Sequence, residues 1–307
     1  MAYTVVVAGS TVRTKLCAET LARDPRFSIV GIITPEPKLI GRKQILTKNP
    51  LHLFAEANAI PTVLVEKKLH QEVQEQIMSS SFAHPDLLLV VDFGYIVPRW
   101  LLDLPKIAPV NIHPSDLPKY RGSSPGQFVL ICGERYSAVS IMVMDEQLDH
   151  GPIITKIPFG ISSNWTSSGY YGHAFSLVCE KLGDILEDFC EKPGNVTPQP
   201  DESPTPTARM LTKDDGFVRW DIIQKLLDGK SGASLPFLDA LKIPTTPHSL
   251  VNLWRGLSPW PGIWTLRVVK GQEKRMKLLE IEEQNGKLSI MTVQYEGETA
   301  KPYALTS

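Results

Sequence analysis

The chain has 307 residues and a formal net charge of −1, with a sequence pI of about 6.7. This length is enough for two domains and a sizeable core. The near-neutral charge excludes a protein that binds nucleic acid or membranes through its overall charge, so any basic surface must be local.

Four widely spaced cysteines contain no Cys-x-x-Cys pair, which predicts reduced thiols and no zinc site. No apolar run approaches the 18 or so residues that a membrane-spanning helix needs. No Arg-rich or charged leader precedes the apolar run that starts at Tyr3. We therefore expect a cytoplasmic protein without membrane association.

Along the first two thirds of the chain, apolar β-branched runs alternate with segments of helical spacing. The predicted strands are 3–8, 27–33, 61–65, 86–91, 108–113, 139–144 and 153–157, and the predicted helices are 14–21, 51–59, 71–79 and 168–189. Such alternation, with strands that read as continuous apolar runs, indicates a mostly parallel α/β sheet.

The remainder of the chain divides into a polar connection and a small β-rich region. Residues 192–210 are rich in Pro, Ser and Thr and are the best linker candidate. Short strands are expected at 262–269, 277–281 and 288–295, typical of a small antiparallel barrel-like domain. The predicted domains are thus 1–191 and 211–307, joined by the linker.

The turn after the first strand invites comparison with nucleotide-binding loops. Gly9-Ser10 is followed by Thr-Val-Arg and does not complete a Gly-x-Gly-x-x-Gly pattern. A tight turn explains it, and neither NAD nor a nucleoside triphosphate is expected.

Three polar residues next to turns form the candidate catalytic site. Asn111 and His113 end an apolar strand, where residues two apart share one face and ligands of parallel sheets gather. Asp149 closes the acidic segment 144–151. A structural Asn and His, or a metal loop, are the alternatives, but a metal loop would need more oxygen ligands at fixed spacing. An amide, an imidazole and a carboxylate suit acyl-group chemistry without a metal.

These segments resemble a known enzyme family. The pattern Asn-x-His-Pro-Ser-x-Leu-Pro-x-Tyr-Arg-Gly from Asn111, followed by Met-Asp-x-x-Leu-Asp-x-Gly from Met144, is similar to formyltransferases that use 10-formyltetrahydrofolate. The similarity extends over most of the chain, through the segments 91–98, 211–221 and 258–265. The resemblance implies a Rossmann-like catalytic domain and an OB-like carboxyl-terminal domain, with Asn111, His113 and Asp149 as catalytic residues.

The same resemblance implies where the folate co-substrate binds. Its expected contacts lie in three loops: Phe93, Gly94, Tyr95, Ile96, Ser115, Leu117, Pro118, Met144, Asp145 and Leu148.

The acceptor is implied by similarity to the methionyl-tRNA formyltransferases of that family, which act in translation initiation. They have a basic loop after the second strand and a tRNA-binding carboxyl-terminal domain. The corresponding basic residues, expected to contact initiator methionyl-tRNA, are Lys38, Arg42, Lys43, Lys48, Arg267, Lys270, Lys274 and Arg275. The alternative interpretation is that both groups of basic residues are solvated surface charges.

We expect the protein to be a monomer.

A sugar-nucleotide N-formyltransferase is the alternative function, since it would use the same three residues and the same folate donor. It would not need the basic segment 38–48. The loop after the first strand also departs from the family's Gly-Thr-Pro-Asp-Phe-Ala, because Arg13 stands where Phe is familiar.

Overall fold

The computed structural model of the chain describes residues 2–41, 43–231 and 233–303. In chain order the strands are β1 (Tyr3–Gly9), β2 (Phe27–Pro35), β3 (Lys38–Ile40), β4 (Ile45–Thr47), β5 (Thr62–Val65), β6 (Leu87–Val91), β7 (Ala108–His113), β8 (Tyr136–Val143), β9 (Ile153–Gly160), β10 (Ile263–Val269), β11 (Gln272–Gln284), β12 (Lys287–Tyr295) and β13 (Lys301–Pro302).

The helices complete the list of elements. They are α1 (Val12–Ala22), α2 (Pro50–Ala57), α3 (Gln71–Met78), α4 (Arg99–Leu102), α5 (Pro125–Ile131), α6 (Ser167–Glu191), α7 (Trp220–Leu227), α8 (Pro236–Ala240) and α9 (Pro247–Leu257), with a 3-10 turn at Asp214–Gly216.

Within the described residues the larger sheet has seven strands in the order β5-β2-β1-β6-β7-β8-β9. The five strands from β5 to β7 are parallel, and β8 runs antiparallel to β7. All residues of β6 are buried, as are Val5–Gly9 of β1. Burial on both faces explains the continuous apolar runs of these central strands.

The order in which strands are added to this sheet reverses after the strands on one side of β1 are complete. Strands β2 and β5 follow on one side, whereas β6 and β7 lie on the other. Ligands of open α/β sheets bind in the crevice at the carboxyl ends of the strands where the strand order reverses, and in this sheet that point lies between β1 and β6.

The described part of the carboxyl-terminal region forms a four-stranded antiparallel sheet in the order β10-β11-β12-β13. The predicted fold class is confirmed as a Rossmann-like, mostly parallel sheet followed by a small antiparallel β-structure. The strand expected at 277–281 belongs to the longer β11.

Two compact units divide the described chain. The first comprises described residues of Met1–Lys119, Ala138–Pro158 and His173–Ser203, and the second those of Tyr120–Ser137, Phe159–Gly172 and Pro204–Ser307. In the second unit α5 packs on α9, which groups this helix with the carboxyl-terminal residues. The boundaries predicted at 191 and 211 stay a prediction, since compact units need not coincide with evolutionary domains. Across the described residues, no helix combines the length and apolarity needed to cross a bilayer.

Replacing Leu89 tests the importance of the central strand. Leu89 is completely buried in β6, so we expect Leu89→Ala to lower the free energy of unfolding by about 2–5 kcal/mol through lost burial and a cavity. Urea unfolding measures this change. Leu53→Ala is the matched control, because Leu53 on α2 is half exposed, and an equal loss in both variants would contradict the assignment of the core.

Candidate active site

Asn111 and His113 lie at the carboxyl end of β7. Asn111 is opposite Val90 of β6 and Met142 of β8, and His113 is opposite Ser140 of β8. Because they are two residues apart on a strand, both side chains point to the same face. His113 is 4% exposed and Asn111 is half-buried.

Asp149 reaches these two side chains from the loop between β8 and β9. Its Oδ1 lies 3.4 Å from Asn111 Nδ2 and 3.6 Å from His113 Nδ1. The structure thus brings together the three residues predicted to be catalytic. The first distance is that of a long hydrogen bond, and catalytic contacts are often loose before substrate binds.

The loop that carries Asp149 has a defined conformation. Asp149 has a φ of 51°, in the left-handed region that Asp tolerates better than most residues. A Cβ on Gly151 would lie 2.0 Å from the carbonyl oxygen of Val143, so this close crossing needs glycine. Asp145 accepts a hydrogen bond from the Gln147 amide (2.9 Å) and lies 2.7 Å from His150 Nδ1.

The turn after His113 is held by buried hydroxyl groups. Ser115 Oγ donates to the Lys119 carbonyl (2.7 Å), and Ser140 Oγ donates to the Ser115 carbonyl (2.7 Å) and accepts from the Leu117 amide (3.1 Å). Ser115 and Leu117 are completely buried. Neither the side chains nor the backbone of these two predicted contacts are exposed to a folate molecule in this conformation, while Pro118 is half-buried.

The loop after β6 presents aromatic and apolar side chains. The rings of Phe93 and Tyr95 meet edge to face with centroids 5.1 Å apart, and both pack with Met144 against the buried core. Tyr95 donates to the Val65 carbonyl (3.0 Å), and burial raises the pKa of its hydroxyl, which keeps it a donor. Ile96 is almost fully exposed, and a Cβ on Gly94 would contact nothing within 4 Å.

A cavity of about 300 Å³ adjoins this loop. It includes two predicted folate contacts, Met144 and Asp145, whereas Leu148 is exposed outside it. Its lining consists of Arg99, Leu102, Asp103, Pro109, Met144, Asp145, Glu146 and Gln147. None of the three candidate catalytic residues lines the cavity, so it is adjacent to the site and separate from it.

Sequence reasoning missed a carboxylate at the crevice. Asp92 follows β6, and its Oδ2 accepts hydrogen bonds from Thr11 Oγ1 (2.6 Å) and Arg13 Nε (2.6 Å). This ion pair joins the first turn of α1 to the loop after β6. The signal that identified Asn111, a polar residue at the end of an apolar strand, would also have identified Asp92.

The segment predicted as a linker also contributes to the site. Gln199 Nε2 donates to the carbonyl oxygens of Asp149 (3.1 Å) and Gly151 (2.7 Å). Thr197 and Ile153 exchange two backbone hydrogen bonds of 2.8 Å. Composition alone gave no signal for these contacts.

Comparison with known proteins identifies the family. The formyl transferase family model matches residues 3–174, which is more than half of the chain. The chain belongs to the formyl transferase family. It is 30% identical over 271 residues to the methionyl-tRNA formyltransferase of Geobacter metallireducens, covering 88% of this chain and 78% of that protein.

Solved structures share the formyl transferase fold. The methionyl-tRNA formyltransferase from Clostridium thermocellum superposes with a TM-score of 0.58 at 14% identity, covering 97% of this chain and all of that one. A sugar N-formyltransferase from a Shewanella species gives a TM-score of 0.57 at 17% identity, covering 88% of this chain and 95% of that one. At these identities the likeness concerns the fold alone.

The basic segment of this formyl transferase contains a β-hairpin. Strands β3 and β4 pair from Lys38–Thr47 to Ile40–Ile45. Lys38 and Lys43 are exposed, Lys48 forms an ion pair with Glu56, and Arg42 lies outside the described residues. The sequence prediction of a basic loop did not anticipate the four exposed apolar side chains of the hairpin, which are Leu39, Ile40, Ile45 and Leu46.

The second basic group lies on the β10–β11 hairpin. Arg267 is opposite Lys274 in the register, and Lys270 is at the turn with a φ of 51°. The guanidinium of Arg267 lies 3.9 Å from the ring centroid of Trp220, and that of Arg275 lies 4.6 Å from the ring centroid of Trp264. Both arginines therefore stack on indole rings.

Substituting Gly151 tests the close crossing that places Asp149. We expect Gly151→Ala to lower the free energy of unfolding by about 1–3 kcal/mol, because the added Cβ clashes with a backbone oxygen that cannot easily move. Urea unfolding measures this change. Gly160→Ala is the control, since its Cβ would have its nearest neighbour at 3.9 Å. Equal stability of the Gly151 variant and the wild type would contradict the crossing.

Proposed function

We propose that this formyl transferase moves the formyl group of 10-formyltetrahydrofolate to the α-amino group of methionine esterified to initiator tRNA. The observation that carries the proposal is the approach of Asn111 and His113 to one oxygen of Asp149, within 3.4 and 3.6 Å. The similarity to proteins named methionyl-tRNA formyltransferases, over most of both chains, supports the acceptor.

In the proposed reaction the amine nitrogen attacks the formyl carbon, and the carbonyl oxygen becomes an oxyanion. The Asn111 amide and a protonated His113 donate hydrogen bonds to that oxygen. Preorganised donors of this kind are typically worth roughly 10²–10³ in rate. Their common face on β7 lets both address one atom.

The attacking amine must also lose a proton. An α-amino group has a pKa of about 8, so part of the amine is already deprotonated and nucleophilic at neutral pH. Asp149 accepts the proton as the C–N bond forms, directly or through a water molecule, and orients His113 through Nδ1. When the tetrahedral intermediate collapses, the bond between the formyl carbon and N10 breaks and N10 takes up a proton.

Three loops of this chain are proposed to hold the folate. The apolar surfaces of Phe93, Tyr95, Ile96, Met144 and Leu148 suit its ring system, because aromatic and apolar side chains line most small-molecule sites. Gly94 leaves space at the centre of the first loop. Asp145 and the half-buried Pro118 complete the proposed contacts.

The acceptor is proposed to lie against the basic hairpin and the β10–β11 hairpin. Lysine and arginine side chains contact phosphates without reading sequence. Lys38 and Lys43 are exposed, and the stacked Arg267 and Arg275 are held in place on aromatic rings. These positions suit contacts to a tRNA backbone.

Substitution of the three proposed catalytic residues tests the chemistry. We expect Asn111→Ala, His113→Ala and Asp149→Ala each to lower kcat about 100-fold or more, with little change in the Kd for folate. Formyl transfer to charged initiator tRNA and folate titration measure these quantities.

His84→Ala is the control, since His84 is exposed away from the three residues. Turnover like that of the wild type in any of the three variants would refute its role. Faster transfer to amino-sugar nucleotides than to charged tRNA would instead favour a sugar-nucleotide N-formyltransferase.

Removal of two hairpin charges tests the acceptor. We expect Lys38→Ala combined with Lys43→Ala to raise KM for charged tRNA and to reduce the slope of log affinity against log salt by about 1–2, because each lysine releases about one counterion on contact with a phosphate. The Kd for folate should stay unchanged. Lys181→Ala with Lys192→Ala removes the same charge from exposed positions elsewhere. Equal effects of the two pairs would show that only net charge matters.

A further inference from the structure

We propose that Gln199 is a positioning residue that fixes the Asp149 carboxylate for formyl transfer; this inference rests on the proposed function. Gln199 holds the backbone that presents one of the three candidate catalytic side chains.

The side-chain amide of Gln199 bridges the carbonyl groups of the two residues that flank His150. Its Nε2 donates to the carbonyl of Asp149 at 3.1 Å and to that of Gly151 at 2.7 Å. An amide nitrogen has two protons, so one Gln199 side chain can make both bonds. The carbonyls of Asp149 and Gly151 are thereby fixed relative to each other.

Gln199 is itself held on both sides in the chain. Before it, Thr197 pairs with Ile153 through two backbone hydrogen bonds of 2.8 Å. After it, Ser203 Oγ donates to the carbonyl of Pro118 at 2.8 Å. Residues 197–203 therefore tie the loop of Asp149 to the turn that follows His113.

The Asp149 backbone needs such support. Its φ of 51° lies in the left-handed region, which Asp tolerates better than most residues but which still costs more than a right-handed conformation. The distances from Asp149 Oδ1 to Asn111 and His113 already lie at the outer limit for direct contact. A displacement of about 1 Å would separate the groups, and misplacement of that size can cost roughly 10²-fold in rate.

Asp201 adds a second contact from the same segment. Its Oδ1 lies 3.5 Å from His150 Nε2, while His150 Nδ1 faces Asp145 at 2.7 Å. Each ring nitrogen of His150 thus has a carboxylate near it, and Gln199 bonds the carbonyls of the two residues that flank it. Residues 197–203 therefore contact the Asp149 loop through both their backbone and their side chains.

The test compares Gln199→Glu and Gln199→Ala with the wild type. Glu keeps the length and shape of the side chain but, when ionised, cannot donate to a carbonyl. We expect both variants to lower kcat by about 10- to 100-fold, with KM for folate and the thermal midpoint little changed. Gln294→Ala is the matched control, because Gln294 also donates to a backbone carbonyl, that of Glu298 at 3.0 Å, and should leave kcat unchanged.

A double-mutant cycle separates positioning from a general structural role. In the Asp149→Ala background, Gln199→Ala should cause no further fall in kcat, since the group it positions is gone. Undiminished kcat in Gln199→Glu, or a full independent loss in the Asp149→Ala background, would overturn the inference. So would a fall in kcat that only matches the fraction of unfolded protein.

A spectroscopic measurement distinguishes failure of this inference from failure of the proposed function. The imidazole NMR resonances of His113 should shift in Gln199→Glu, because Asp149 faces Nδ1, and should not shift in Gln294→Ala. If the wild type transfers no formyl group to charged tRNA, the proposed function fails while these resonances still test Gln199. Unshifted His113 resonances in Gln199→Glu would overturn the inference whatever the activity.

Discussion

The close crossing of the Asp149 loop over the end of β8 is the constraint on which the candidate site depends. Asn111 and His113 are fixed by the register of β7, but the carboxylate comes from a separate connection. It reaches them because Gly151 passes the Val143 carbonyl at a distance that no side chain permits. Without that approach, the amide and the imidazole would lack the group that orients them.

Burial strengthens the polar interactions among Asn111, His113 and Asp149. His113 and Asp149 are both largely shielded from water, with side chains 5% and 12% exposed. Hydrogen bonds and charges interact more strongly in such surroundings, and a buried polar group without partners is costly. The Arg13–Asp92 pair joins the first turn of α1 to the loop after β6 and keeps their opposite charges together. The crevice is therefore lined by polar groups that are already paired before any substrate arrives.

The sequence predicted the parts of the molecule that depend on local patterns. Buried strands such as β6 read as apolar runs, and Asn111 and His113 were found from the two-residue period at the end of β7. Asp149 was found because it closes an acidic turn just after a predicted strand, and the resemblance to a known family agreed with it. Gln199 could not be predicted, because its bonds to Asp149 and Gly151 span about fifty residues and its own segment is polar and rich in proline. The hairpin of β3 and β4 was missed since its charges, and not its two pairs of adjacent apolar residues, were weighed.

That hairpin bears on how one site could serve different acceptors. The chemistry proposed for Asn111, His113 and Asp149 requires only a formyl donor and an amine, so on that proposal the acceptor must be selected by segments outside them. Lysines bind phosphates through charge, and salt weakens that binding. Exposed apolar side chains such as Leu39 and Leu46 contribute contacts that salt does not weaken. An acceptor with both phosphates and aromatic bases can satisfy both kinds of side chain, since every base offers a face for apolar contact. On the proposed function, the hairpin therefore selects for nucleic acid through two independent interactions, and only one of them is electrostatic.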